Sequence, residues 1–79
     1  MSNLEKYDKV FMESFSLTAD KLANLKYQGI KEWDSVGHME LVTALEDTFG
    51  IEMETDDIID FSDYAKGKEI LSKKYDVLF

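Results

Sequence analysis

The fold is decided by the stretch Asp34-Ser35-Val36-Gly37-His38-Met39-Glu40-Leu41-Val42-Thr43-Ala44-Leu45-Glu46-Asp47-Thr48-Phe49-Gly50. Apolar residues recur in it at intervals of three and four, which predicts an amphipathic helix. The apolar stripe consists of Leu41, Val42, Leu45 and Phe49, with Ala44 beside it. Asp34 or Ser35 can cap the start of this helix, and Gly50 stands where a left-handed residue commonly ends one.

The residues before this stretch predict one more helix and a long connection. Leu4, Tyr7, Phe11 and Phe15 have helical spacing, and Ser2 and Glu5 have the spacing of a capping box. A first helix is therefore predicted over residues 3–15. Residues 16–34 lack a clean period and form a connection of nearly 20 residues, a length that is often functional. A short helical turn is expected near Ala19–Leu25.

The residues after Gly50 predict a short helix and a longer one. The short helix runs from about Thr55, as its cap, to Asp60, and Ile58, Ile59 and Phe61 are expected to turn inward. Ser62 or Asp63 begins the last helix, which continues to about Tyr75, and Gly67 weakens it by about 1 kcal/mol relative to Ala. The sequence therefore predicts an all-α fold, a small four-helix bundle of three longer helices and one short third helix. We expect a single domain over residues 1–79 with a long first loop.

The negative net charge of the chain excludes several classes of binding partner. The chain carries 17 Asp and Glu against nine Lys and no Arg, a formal net charge of −8. Such a chain lacks the clustered cations that nucleic acids and anionic membranes require, so neither is expected as a partner. Ten of the acids and no Lys lie between Glu32 and Asp60. This run is either an ordinary solvated face or a surface that steers basic partners.

Catalytic and metal chemistry are poorly supported. The chain has no Cys, and its one His, His38, lies three residues after Ser35. A Ser–His pair is conceivable there, but a hydrolase also needs an oxyanion hole and a cleft, so we expect no catalytic residues and a surface His. Asp56, Asp57 and Asp60 do not form a calcium-binding loop, so we expect no metal site, and an EF-hand ion sensor is almost excluded. Neither a secretory signal nor a membrane-spanning run is visible, which makes the cytoplasm the default location.

Ser35 has a context that goes beyond helix capping, the usual role of a Ser at this point. The ordered set Asp34-Ser35-Val36, Glu40-Leu41, Leu45-Glu46 and Phe49-Gly50-Ile51 closely resembles the attachment helix of acyl carrier proteins. Thr55-Asp56-Asp57-Ile58 resembles the short third helix of that family. The resemblance covers residues from about Trp33 to Tyr75.

The resemblance implies a modification rather than an enzymatic activity. It implies that Ser35, in the Asp34-Ser35 motif, carries 4′-phosphopantetheine donated from coenzyme A by a phosphopantetheinyl transferase. The thiol of this arm would hold acyl groups as thioesters for acyl-loading, synthase or acyltransferase enzymes with basic docking surfaces. The positions that it implies face these partners are Val36, Met39, Glu40, Glu46 and Asp47. Met39 is equally well interpreted as a half-buried core residue.

Several residues differ from those common in fatty-acid carriers. Val36 replaces the more frequent Leu, Gly37 stands where an acid is usual, and His38 is uncommon. These differences leave the cargo open between fatty-acid-like and polyketide-like or other specialised pathways. The alternatives are an aminoacyl or D-alanyl carrier and, from another class, an acidic helical interaction domain without a prosthetic group. A monomer is expected for the acyl carrier protein.

Overall fold

The computed structural model describes all 79 residues and contains four α-helices. They are α1 (Asn3–Phe15), α2 (Ser35–Phe49), α3 (Thr55–Asp60) and α4 (Tyr64–Lys74), with a single 3-10 turn at Ala19–Lys21. The predicted all-α fold with a short third helix and a long first loop is therefore confirmed. α1 and α2 form the most extensive helix pair. Packing of all four helices as a regular bundle, and a single domain, stay predictions.

Most helix ends follow the predicted signals. Ser2 and Glu5 form the capping box of α1, Gly50 ends α2 with φ +64°, and Asp63 caps α4 by accepting the Lys66 N–H at 2.6 Å. The predicted Thr55 cap is wrong, because Glu54 occupies the cap position of α3 and no side chain accepts a hydrogen bond there. α3 consequently depends on contacts with its neighbours rather than on a cap.

The core is rich in aromatic rings. Phe15 stacks on Trp33 at 5.5 Å and Phe11 on Phe61 at 6.2 Å, measured between ring centroids. Tyr7 is buried with them and donates its hydroxyl to the Tyr64 carbonyl at 2.7 Å. These rings therefore join α1, the end of the long loop, the residue after α3 and the start of α4, and Leu41, Val42 and Leu45 of α2 are buried in the same core.

Gly67 has a role that differs from its predicted one. A Cβ at this position would overlap the ring of Phe61 and the hydroxyl of Tyr7. Its small size lets α4 lie close to α1 and Phe61. The helix-propensity cost of a Gly is real, but at this position an Ala would also have to displace the core.

The long loop is pinned rather than free. Lys26 and Asp63 form an isolated antiparallel bridge, in which the Tyr27 N–H donates to the Ser62 carbonyl and the Tyr64 N–H to the Leu25 carbonyl, both at 2.9 Å. Apolar residues of the loop pack on the core: Leu22 and Leu25 are buried, and Leu17 and Ile30 are partly buried. The loop therefore delivers the chain to α2 along a fixed path.

Candidate functional site

Ser35 is the first residue of α2, and its hydroxyl is free. Asp34 is the N-cap, and its Oδ1 accepts the Gly37 N–H at 2.8 Å. Asp34 and Ser35 were both predicted as possible caps. Asp34 is the residue that caps α2, so the prediction that Ser35 does so is wrong. The Ser35 side chain is exposed and forms no hydrogen bond within the chain. It is therefore available for chemistry without loss of a structural contact.

The backbone around Ser35 is fixed by its two neighbours Trp33 and Gly37. Trp33 is fully buried, and a Cβ on Gly37 would overlap the carbonyl oxygen of Glu32. The loop backbone and the first turn of α2 are therefore in close contact, which a larger residue at position 37 would prevent. This contact explains why Gly, rather than an acid, stands two residues after Ser35.

His38 is a structural residue and not a surface one. Trp33 Nε1–H donates to His38 Nδ1 at 2.8 Å, and His38 Nε2 lies 2.8 Å from the Ile58 carbonyl oxygen. The prediction of an exposed His is therefore wrong, because the ring is half-buried between α2 and α3. With both nitrogens engaged elsewhere, His38 has no acceptor left for the Ser35 hydroxyl.

An apolar groove of about 370 Å³ lies between α2 and α3 and opens beside Ser35. On the α2 side it is lined by Ser35, His38 and Met39. Opposite them lie Ile58, Ile59, Phe61 and Ser62, and Tyr27 of the long loop completes the lining. We call this the inner groove. No Asp, Glu or Lys lines it, so it favours an uncharged, apolar occupant.

A second concave surface lies on the outer side of Ser35. Ser35, Val36, Met39, Glu40 and Asp47 line it together with Thr43 and Ala44. We call it the outer face. Val36 is 66% exposed and Met39 50%, so the interpretation of Met39 as a half-buried core residue is wrong. Four of the five predicted partner residues therefore lie together beside Ser35.

Glu46 and Ile59 depart from their predicted roles. Glu46 does not line the outer face, and its Oε2 accepts the Met53 N–H at 2.8 Å, which holds the chain after α2. Ile59 was expected to turn inward but is 71% exposed. Ile59 on α3 is therefore an exposed apolar side chain, as Val36 and Met39 are on α2. Local spacing did not indicate this, because a helix of six residues is too short to define a face.

The acidic run is not wholly free of basic partners. Asp57 is buried, and its Oδ1 lies 2.6 Å from Lys74 Nζ while Oδ2 accepts the Tyr75 hydroxyl at 2.5 Å. The hydrogen bonds from Lys74 and then Tyr75 lower the pKa of the Asp57 carboxyl below its ordinary value. Lys74 comes from outside the run, which is why the sequence did not reveal this pair.

No group of His, Asp and Glu side chains converges in a way that could hold a metal ion. No helix is both long enough and apolar enough to cross a bilayer.

One comparison with known proteins gives a clear relative. The chain is 39% identical over 61 residues to the acyl carrier protein of Lactobacillus johnsonii, an alignment that covers 72% of this chain and 76% of the relative. No family model and no solved structure matches the sequence. On this similarity the chain belongs to the acyl carrier protein family, and its role is in general terms that of a carrier rather than an enzyme.

Proposed function

We propose that residues 1–79 form one acyl carrier domain in which Ser35 carries 4′-phosphopantetheine as a phosphodiester. A phosphopantetheinyl transferase would donate the group from coenzyme A. The observation that carries this proposal is the exposed, unbonded hydroxyl of Ser35 at the head of α2, left free because Asp34 takes the cap. The bound arm would supply a thiol for thioester chemistry, a group that this cysteine-free chain lacks.

The surroundings of Ser35 fit a phosphodiester. The backbone N–H groups of Ser35 and Val36 have no partner within the chain, as is usual in the first turn of a helix. Oriented N–H groups at a helix N-terminus favour an anion. The attachment residue would thus be exposed to the transferase while its anionic product remains compatible with the helix end.

The inner groove supports acyl cargo over aminoacyl cargo. An aminoacyl thioester bears a cationic ammonium group, and no carboxylate lines the inner groove to bind it. An acyl chain would instead exchange water for contacts with Met39, Ile58 and Phe61. The groove leaves the choice between fatty-acid-like and specialised pathways open.

The outer face supports docking to basic enzymes. Val36 and Met39 offer apolar contacts beside Ser35, and Glu40 and Asp47 place negative charge around them. Exposed ion pairs contribute only about 0–1 kcal/mol each, so these contacts should be weak and sensitive to salt. Weak docking suits a carrier that must leave the transferase and each acyl-loading, synthase or acyltransferase enzyme in turn.

The modification is tested by incubating the protein with coenzyme A, Mg²⁺ and a broad-specificity transferase and measuring the intact mass. The parent and Ser62→Ala should each gain one phosphopantetheine, and Ser35→Ala should gain none. Ser62 is the matched control because it is also exposed and lines the same groove. Stability of Ser35→Ala should stay within about 0.5 kcal/mol of the parent, since its hydroxyl holds no cap.

Two results would contradict this assignment. Addition of mass to Ser35→Ala would place the modification on another residue. A parent protein that stays unmodified by a transferase active on another carrier would favour the acidic interaction domain without a prosthetic group.

The docking surface is tested by charge reversal. Glu40→Lys with Asp47→Lys should slow phosphopantetheine transfer at low salt, mainly through a higher KM, because charge complementarity acts chiefly on association. Added salt should slow the parent and affect this variant less. Glu13→Lys with Glu52→Lys is the control, since it changes the net charge equally at exposed acids outside the outer face. Equal slowing of both variants would assign the effect to net charge and not to the outer face.

A further inference from the structure

We propose that His38 is the residue that gates the inner groove and so sets the size of the apolar cargo that the groove admits. The biological meaning of this gate rests on the proposed carrier function. Its physical basis is independent of that function, because it rests on how the imidazole joins α2, the long loop and α3.

The hydrogen bonds define the form of the ring. The indole Nε1 of Trp33 is a donor only, so His38 Nδ1, 2.8 Å away, must accept. A backbone carbonyl is an acceptor only, so His38 Nε2, 2.8 Å from the Ile58 oxygen, must donate. His38 is therefore the Nε2–H tautomer, and both its polar atoms are bound to fixed partners.

The ring also separates the groove from the aromatic core. It lies edge to edge with Trp33, with centroids 6.0 Å apart and the planes within 16° of each other, and it is packed against Phe61 at 5.9 Å and Tyr27 at 5.2 Å. Because its nitrogens are occupied, the surface that it offers to the inner groove is carbon. Truncation of His38 would extend the groove toward Trp33 and Phe61.

The bond to Ile58 fixes the opposite wall. The last carbonyls of a helix have no partner within that helix, and in α3 the His38 N–H supplies one for Ile58. The inner groove is bounded by α2 and α3, so this hydrogen bond holds its two walls at a fixed separation. A cargo wider than this separation must break the bond before it can enter.

Three variants separate the two hydrogen bonds. In His38→Asn the amide lies near the position of Nδ1 and can still accept from Trp33, but it does not reach Ile58. In His38→Gln the amide extends to the position of Nε2 and can still donate to Ile58. His38→Ala removes both bonds and the ring.

The probe is N-phenylnaphthylamine, a neutral fluorescent molecule that the acidic chain does not repel, titrated into the protein without its prosthetic group. If the bond to Ile58 is the gate, His38→Asn and His38→Ala should bind it about three- to tenfold more tightly than the parent, the equivalent of one hydrogen bond. His38→Gln should bind it as the parent does. Linear alcohols of increasing length should then compete, with affinity rising about fourfold per methylene until the groove is full. That rise should continue to longer alcohols in His38→Ala than in the parent.

Tyr75→Phe is the matched control. It removes the contacts of the Tyr75 hydroxyl with Asp57 of α3 and with the N–H of its cap residue Glu54, neither of which lines the inner groove. Probe binding to Tyr75→Phe should equal that of the parent. An increase as large as that of His38→Asn would overturn the gate and assign the effect to general loosening of α3. Equal affinities for all His38 variants, with helical circular dichroism retained, would overturn it as well.

Phosphopantetheine transfer to the same proteins keeps the two proposals apart. If Ser35 is modified but the probe affinities are all equal, the gate is wrong and the carrier assignment stands. If the probe affinities follow the expected order and Ser35 stays unmodified, the gate stands and the proposed modification is wrong.

Discussion

The two sides of α3 are held in very different ways. Toward α4, the buried carboxylate of Asp57 forms an ion pair with Lys74 and accepts a hydrogen bond from the Tyr75 hydroxyl. The same hydroxyl accepts the Glu54 N–H at 2.8 Å. Toward α2, the one side-chain hydrogen bond to α3 comes from His38. The lightly held side borders the inner groove and Ser35. Because α3 is held firmly by α4 and by only one side-chain hydrogen bond to α2, it can move away from α2 to admit a ligand while it stays attached to α4.

Gly67→Ala should have the largest effect, because it disturbs α4, to which the firm side of α3 is attached. The new Cβ would overlap Phe61 and Tyr7, and overpacking of this kind costs about 1–3 kcal/mol. Urea unfolding measures the loss. Ala65→Gly, at an exposed position of the same helix, should cost only the propensity difference of about 1 kcal/mol. A Gly67→Ala protein more stable than the parent would show that helix propensity decides this position.

Asp57→Asn tests the firm attachment directly, with a smaller expected effect and a pH signature. Hydrogen bonds from Lys74 and then Tyr75 lower the folded-state pKa of Asp57, so its contribution to stability is fully present above the unfolded pKa of about 3.9. That contribution is lost as the pH falls through the folded value. The Tm of Asp57→Asn should lie below that of the parent at pH 7, and the difference should shrink in acid.

Asp56→Asn is the control for this variant, since Asp56 is an exposed neighbour on the same helix. Its Tm should follow the parent at every pH. A constant difference between Asp57→Asn and the parent from neutral to acid pH would mean that the charge of Asp57 does not stabilise the fold.

Ile59→Ala should have the smallest effect on stability, within about 0.5 kcal/mol of the parent, because its side chain lies on the lightly held side and is mostly exposed. Ile58→Ala should cost roughly 1–2 kcal/mol, since part of its side chain is buried. If Ile59 also contacts partner enzymes, its variant should raise the KM for phosphopantetheine transfer by an amount that salt does not change. Thermal unfolding and transfer kinetics separate the two effects, and a large drop in Tm for Ile59→Ala would place its side chain in the core.

The predictable parts of the fold are those encoded locally. The apolar spacing of α1 and α2, the capping box at Ser2 and the left-handed Gly50 act within a few residues, and each was predicted correctly. α3 was located, but its cap and the direction of Ile59 were not. In six residues the periodicity is too weak to choose a face, and contacts with α2 and α4 make the choice.

The candidate site shows the same division. The resemblance to acyl carrier proteins grouped Val36, Met39, Glu40 and Asp47 with Ser35 on α2, and these residues do line one surface. It also included Glu46, which does not line that surface. The role of His38 could not be predicted, since Ile58 lies twenty residues away in sequence. The pairing of Asp57 with Lys74, and of Gly67 with Tyr7, likewise depends on residues brought together only by the tertiary fold.

The bridge between Lys26 and Asp63 bears on the order in which the molecule folds. The backbone hydrogen bonds of a helix such as α2 join residues four apart and can form in microseconds, whereas a bridge between distant residues must first close a long loop. Tyr27 follows Lys26 in the sequence and Ser62 precedes Asp63, and both residues line the inner groove. During refolding Ser35 should therefore reach the head of a formed helix before the groove beside it exists, and the groove should be among the last features to assemble.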